Sequence, residues 1–472
     1  MTIQAAFMVP HPPMIVPGVG RGSEKQVEAT SAAYRQIAEE IAALKPETIV
    51  IASPHSVMYM DYFHISPGRW AEGSFAQFGA PGDSFREEYD TEFVMAVEEL
   101  AAAGGIPAGT MGERDKALDH GTMVPLHFIR QKYDGARILR IGLSGLPLTD
   151  HYALGMCIAR AAEDLGRSIV FVASGDLSHK LQEYGPYGFA AEGPQYDERI
   201  MDVCSRAAFG ELFDFDEEFC DRAAECGHRS FVMMAGALDG YEVEATQLSH
   251  EDVTGVGYGI CTFYPKGRSG DRHFLQKYQQ KEARETETAA AASDAYVQLA
   301  RRTIEQYVRE GTTPRIPKKP GSGSDELLSS LPEEMLQEKA GAFVSIHEHG
   351  NLRGCIGTIL PARSCVAEEI VGNAVSAATK DPRFLPIREE ELPYLQINVD
   401  VLGAPEDIES KDQLDVKRYG VIVSSGGRRG LLLPDLEGVD TVDRQVDIAR
   451  QKAGIDRGEP MQLQRFEVIR HK

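Results

Sequence analysis

A chain of 472 residues has room for two to four domains, each burying its own core. Its 42% hydrophobic and 26% charged residues are ordinary for a globular protein, while a formal charge of -23 repels phosphate backbones and anionic lipid and argues against extended nucleic-acid binding. Seven cysteines without a CxxC pair read as free thiols in a reducing compartment. The opening MTIQAAFMVPHPP has no basic region before its apolar run, so it does not read as a signal peptide. Apolar stretches such as Ser168–Ala173 are too short to span a bilayer. The expectation is a cytoplasmic protein without a membrane partner.

The first half alternates short apolar runs with helical patterns. Ala5–Val9 predicts a strand, and Glu24–Leu44 a helix with Ile37, Ile41 and Leu44 at helical spacing. Thr48–Ala52, Ile138–Leu143 and Ile169–Ala173 are further strand-like runs, separated or followed by helical segments near Tyr152–Leu165 and Gln195–Ala208. Val256–Tyr264 reads as a closing strand. Buried strands separated by helices predict an α/β domain with a largely parallel sheet over residues 1–265.

Residues 266–289 are polar, without apolar periodicity, and are expected to be a linker. A second, α+β domain is expected over 290–472. It has a helix near Tyr296–Val308, a loop at Pro314–Asp325, a helix near Val366–Thr379, and strands at Ala342–His347, Ile397–Leu402 and Gly420–Ser424. The last precedes a Gly-rich turn and Leu431–Leu433, a hairpin pattern.

Ligands of an open α/β sheet bind beyond the carboxyl ends of its strands. His11 ends AAFMVPH, His55 ends TIVIASPH, and His179 follows IVFVASGDLSH. All three are therefore placed at one sheet edge. His120 lies in LDHGTMVPL, where Gly121 and Pro125 predict a loop. One histidine alone is usually a hydrogen-bonded structural residue. Three converging imidazoles call for a shared partner, and a divalent metal is the usual one. Two histidines and a carboxylate leave open positions on Fe(II) for substrate and dioxygen.

Glu225 in AAECGHRSF is the candidate carboxylate, and its neighbour Cys226 competes for the role. A thiolate would shift the preference toward zinc or copper. Spacing does not choose between them. Oxygen chemistry favours Glu225, with Cys226 packed behind it or facing the substrate. Asp176 and Ser178 lie close enough in sequence to orient His179, although a turn or capping role suits Asp176 better.

PHPP at 10–13, SPHS at 53–56, DHGTMVPL at 119–126, SGDLSH at 174–179 and ECGHRSF at 225–231 together resemble the LigB-like class III extradiol dioxygenases, in particular their Memo-like branch. The resemblance implies iron held by His11, His55 and Glu225, with His179 as acid/base and His120 assisting at oxygen or substrate. The Memo-like branch implies a cysteine as third ligand, which falls on Cys226. The implied substrates are an aromatic diol or aminophenol and dioxygen.

In the second half, NLRGCIGT at 351–358 reads as a tight backbone passage with Cys355 between two glycines. Cys355 is a candidate nucleophile or thiolate ligand with Arg353 lowering its pKa, weighed against a buried structural thiol. Ser424–Gly430 (SSGGRRG) is either an anion cradle using Arg428 or a plain hairpin turn. LRGCIGT at 352–358, ATKDPRFLPIREEELP at 378–393 and GLLLPDLEGVDT at 430–441 resemble the AMMECR family. The combination resembles proteins of the AmmeMemoRadiSam system, which implies a radical-SAM protein as partner.

Three functions compete: ring cleavage by an Fe(II) enzyme; a radical-SAM-linked small-molecule or RNA modification step without ring cleavage; and a metal-binding interaction module. His179 and His120 favour an enzyme, because a structural site needs only its ligands. The sequence leaves a homo-oligomer open.

Overall fold

The four apolar runs of the first half become neighbouring strands. In this computed structural model, which describes residues 2–114, 117–436 and 438–472, β1 (Ile3–Val9), β2 (Thr48–Ser53), β3 (Arg137–Gly142) and β4 (Ile169–Ser174) run parallel in the order β3-β2-β4-β1. β5 (Tyr241–Glu251) and β6 (Tyr258–Arg268) form an antiparallel pair, and β6 also pairs antiparallel with β1. The sheet is thus mixed, mostly parallel.

Alternate strand residues feed two cores, one on each face of the sheet. Phe7, Ile49, Ile51 and Val170 meet α1 (Glu28–Leu44) and α2 (His120–Ile129) on one face. Met8, Val50, Phe171 and Ala173 meet α3 (Leu148–Leu165) and α4 (His228–Ala237) on the other. β2 and β4 are buried along their whole length, as a covered parallel sheet requires.

His120 is the first residue of a helix, not part of a loop. Asp119 caps that helix by accepting the Thr122 N–H at 2.9 Å, and Pro125 lies inside it. An N-cap of this kind starts a helix, and the proline at its sixth position removes one hydrogen bond without stopping it.

The chain divides into two compact units, Met1–Gln279 and Gln280–Lys472, and the division falls within α5 (Phe274–Ala292). Residues 266–289 therefore hold the end of β6 and most of a helix. Phe274, Leu275 and Tyr278 pack against the first core, with the Tyr278 ring 4.7 Å from that of Phe213.

In the second unit α6 (Ala295–Glu310) and α7 (Val366–Thr379) cover a curled antiparallel sheet. Its strands are β7 (Ala342–Glu348), β8 (Asn351–Gly357), β9 (Leu395–Leu402), β10 (Glu406–Ile408), β11 (Tyr419–Ser425), β12 (Arg428–Leu432) and β13 (Gln462–His471). They are ordered β8-β7-β9-β13-β11-β12, with β10 on β13. NLRGCIG is edge strand β8 rather than a tight turn. Among the described residues no helix is long and apolar enough to cross a membrane.

A chain ending at residue 265 loses the three α5 side chains from the first core. Half-burial of three such groups is worth about 3 kcal/mol, so it should melt roughly 6–12 °C below a chain ending at residue 292. Equal midpoints in a thermal scan would remove α5 from the fold of the first unit.

Candidate metal centre

β1, β2 and β4 end level with one another: Val9 pairs with Ser174, and Ala52 with Ala173. His11 and His55 each follow their strand by two residues, so both imidazoles arrive at the same point. Their Nε2 atoms face each other at 3.0 Å. The third group to arrive is Cys226, whose Sγ lies 3.6 Å from His11 Nε2. One ligand atom from each of His11, His55 and Cys226 lies within 4.8 Å of the others.

Cys226 is carried in by two backbones in contact. A Cβ on Gly175 would lie 2.1 Å from the Gly227 Cα, so only glycines let the Ser174–His179 turn touch the start of α4. Cys226 N–H then donates to the Asp176 carbonyl at 3.4 Å, and Asp176 N–H donates to Cys226 Sγ at 3.3 Å.

Glu225 is not part of this cluster. Its carboxylate turns inward and accepts the His228 N–H at 2.6 Å, capping α4. It also accepts from Tyr196 and from the Gly227 N–H, and burial pushes its pKa up to about 7. The expectation of Glu225 as third ligand is thus corrected: the capping bond occupies the carboxylate, and Cys226 points to the histidines.

Asp176 does not orient His179 either. Its Oδ1 accepts the His11 N–H at 2.7 Å, and burial raises its pKa to about 7. Ser178 donates to the Ala223 carbonyl at 2.8 Å.

Two more imidazoles surround the cluster. His120 packs against His55 with ring centroids 4.0 Å apart and planes tilted by 31°, and lies 5.4 Å from the His11 ring. His179 stacks on Tyr187 at 5.0 Å, and its buried Nε2 has no hydrogen-bond partner among the described residues. Burial, and then the charge His55 would carry, hold both His120 and His179 at about 4. His11, 1% exposed, is held well below the ordinary value by burial, then by His55, His120 and His179. Burial also drives the Cys226 thiol well above its usual range, ahead of the nearby Asp176 and Glu225. Without a cation the site is therefore a set of neutral imidazoles around a protonated thiol.

Sequence reasoning missed Ser53, Asp119 and Ser174. Ser53 Oγ accepts the His55 N–H at 3.2 Å and donates to Asp119 Oδ1 at 2.6 Å. The pair DH at 119–120, followed by Thr122, is a capping pattern that could have revealed Asp119.

In the second unit Cys355 and Arg353 do not form the expected pair. The Arg353 guanidinium is committed to Glu391 at 2.6 Å and to the Leu385 carbonyl at 2.9 Å. Cys355 Sγ instead accepts from the Ser345 hydroxyl at 3.2 Å, while its N–H donates to Asp381 at 2.9 Å. In the SSGGRRG turn, which joins β11 to β12, Arg428 bonds to Glu459 and to the Gly454 carbonyl.

Residues 5–261 match the family described as the catalytic LigB subunit of aromatic ring-opening dioxygenase, and residues 297–471 match AMMECR1. A protein of Clostridium acetobutylicum is 39% identical over 480 residues, covering 100% of both chains. A Thermotoga maritima protein is 49% identical over 179 residues, covering 38% of this chain and 97% of its own. The solved structure of a Pyrococcus horikoshii protein is 31% identical and covers 37% of this chain and 88% of its own, with a TM-score of 0.33. The LigB match spans more than half of the 472 residues, and the chain belongs to the LigB family, with an AMMECR1 domain fused behind its dioxygenase-type domain.

Proposed function

We propose that the first unit is a metal-dependent oxidoreductase of the ring-opening dioxygenase type. It holds one divalent ion, Fe(II) foremost, through His11, His55 and Cys226, and acts on an aromatic diol or aminophenol. The observation that carries this reading is the convergence of three donors with two further neutral histidines around them. A purely structural site has no use for the extra pair.

The donors fit such an ion. Bonds of about 2.1 Å to nitrogen and about 2.3 Å to sulfur give ligand separations like those found here. A thiolate also brings the same single negative charge as a carboxylate. When bound, the ion supplies Lewis acidity and one-electron redox chemistry.

The protein's own groups then manage protons. His179 is uncharged at neutral pH, and its Nε2, without a partner among the described residues, accepts a phenolic proton and later returns it. His120, once it holds that proton or its own, donates to negative charge developing beside His55. Removing solvent from these groups strengthens each such contact.

The sulfur donor supports a second reading. A soft thiolate suits zinc or copper, and the unit then binds metal without ring cleavage in a radical-SAM-linked modification pathway or as an interaction module.

Anaerobic titration of the metal-free protein with Fe(II) or Co(II) separates these. The wild type should bind one equivalent with a sulfur-to-metal charge-transfer band. Cys226→Ser should lose the band and most of the affinity, whereas Glu225→Gln should keep both. The reverse order would return the ligand role to Glu225.

Iron-loaded protein should then consume dioxygen with some member of a catechol and aminophenol panel. His179→Gln should slow this about 100- to 10,000-fold at unchanged iron content. Tight zinc binding with no oxygen uptake on any member would decide for the second reading.

A further inference from the structure

We infer that Ser174 selects the tautomer of His11 that presents a lone pair to the ion, and that Pro125 frees the carbonyl on which this selection depends. The inference rests on the metal-centre reading above.

Ser174 ends β4 and is fully buried. Its hydroxyl donates to the Gly121 carbonyl at 2.6 Å. A hydroxyl has one proton to give, so toward His11 Nδ1, 3.0 Å away, Ser174 Oγ can only accept. Nδ1 therefore carries the imidazole proton and Nε2 carries the lone pair. Nε2 is the atom that faces His55 and Cys226. The opposite tautomer would aim an N–H at the centre and set two lone pairs against each other at Ser174.

The Gly121 carbonyl is available for a reason written in the sequence. In an uninterrupted helix it would accept the N–H of residue 125. Residue 125 is proline, which has no N–H and whose ring pushes the carbonyl four residues back away from the helix axis. Gly121 itself must lack a side chain, since a Cβ there would lie 2.4 Å from Ser53 Oγ. The segment DHGTMVP thus brings His120 into the site and, from the same turn, fixes the proton of His11.

The hydrogen bonds linking Gly121, Ser174 and His11, open because Pro125 leaves the Gly121 carbonyl unclaimed, make Ser174 a positioning residue that touches the ligand rather than the ion. Partners of this kind on metal-bound histidines are worth about 10- to 100-fold in metal affinity.

The test uses the full chain with 15N-labelled histidine, free of metal. Long-range proton–nitrogen spectra report each imidazole tautomer, and His11 is assigned by its loss in His11→Ala. The wild type should give the Nδ1–H form of His11. Ser174→Ala should give a mixture of both forms, with cobalt affinity reduced about 10- to 100-fold at an unchanged circular-dichroism spectrum. Ser174→Thr, which keeps a hydroxyl, should restore the single form and the affinity. An unchanged Nδ1–H form and unchanged affinity in Ser174→Ala would overturn the inference. If the wild type takes up no cobalt, the metal-centre reading falls, while the tautomer spectra still decide whether Ser174 sets the proton.

Discussion

The whole site hangs on the level ending of three parallel strands. Because β1, β2 and β4 pair in register up to Val9, Ala52 and Ser174, the chain leaves the sheet at three adjacent points on one edge. A slip of one residue would send the alternating side chains of the slipped strand to the wrong core and move its histidine out of reach. The apolar residues that hold the register therefore also set the separation of the two imidazoles. This is how burial of Phe7, Val50 and Phe171 comes to fix the position of two imidazole nitrogens 3.0 Å apart.

Electrostatics adds a second constraint. The site sits where charge is costly, so its imidazoles stay neutral, its thiol stays protonated, and Asp176 and Glu225 are raised to about 7. Such a cluster gains little from its own members. A divalent ion held by His11, His55 and Cys226 would change the balance, since it would take the place of the thiol proton and give the converging lone pairs a common partner. Ligand present at about 100 times its dissociation constant stabilises a fold by about 2.7 kcal/mol. An ion bound under the proposed reading would therefore support the fold at this edge of the sheet.

The sheet and three of its histidines were legible because long apolar runs bounded by turn residues admit few readings. Pattern alone placed His11, His55 and His179 at strand ends. The helix at His120 was not legible in the same way, since Gly121 and Pro125 are breakers by local preference, and tertiary contacts overrode that preference. Ser53 and Ser174 were hidden for a different reason. A serine at the end of a buried strand has no local signature, and its role exists only once Gly121 and Asp119 are packed against it. In the second unit, the two glycines around Cys355 suggested a turn, but β8 continues through them as an edge strand, with a register shift beside Gly354.

The different orientations of Glu225 and Cys226 show how local chemistry decides which side chain meets the histidines. Ala224 adopts a left-handed conformation with φ of 53°, ending the preceding helix Glu217–Ala223, and α4 begins four residues later. The first N–H groups of α4 need acceptors, and a carboxylate three residues before its first turn is the natural one. Glu225 takes that role and is drawn away from the sheet edge. Cys226, next along, faces the opposite way and meets the histidines. Two adjacent residues in one turn cannot both reach the same point, so the demand of a helix terminus settles which of them does. The segment ECGH, with its acidic residue three positions before the helix, therefore turns a thiol toward the two histidines through a capping requirement alone.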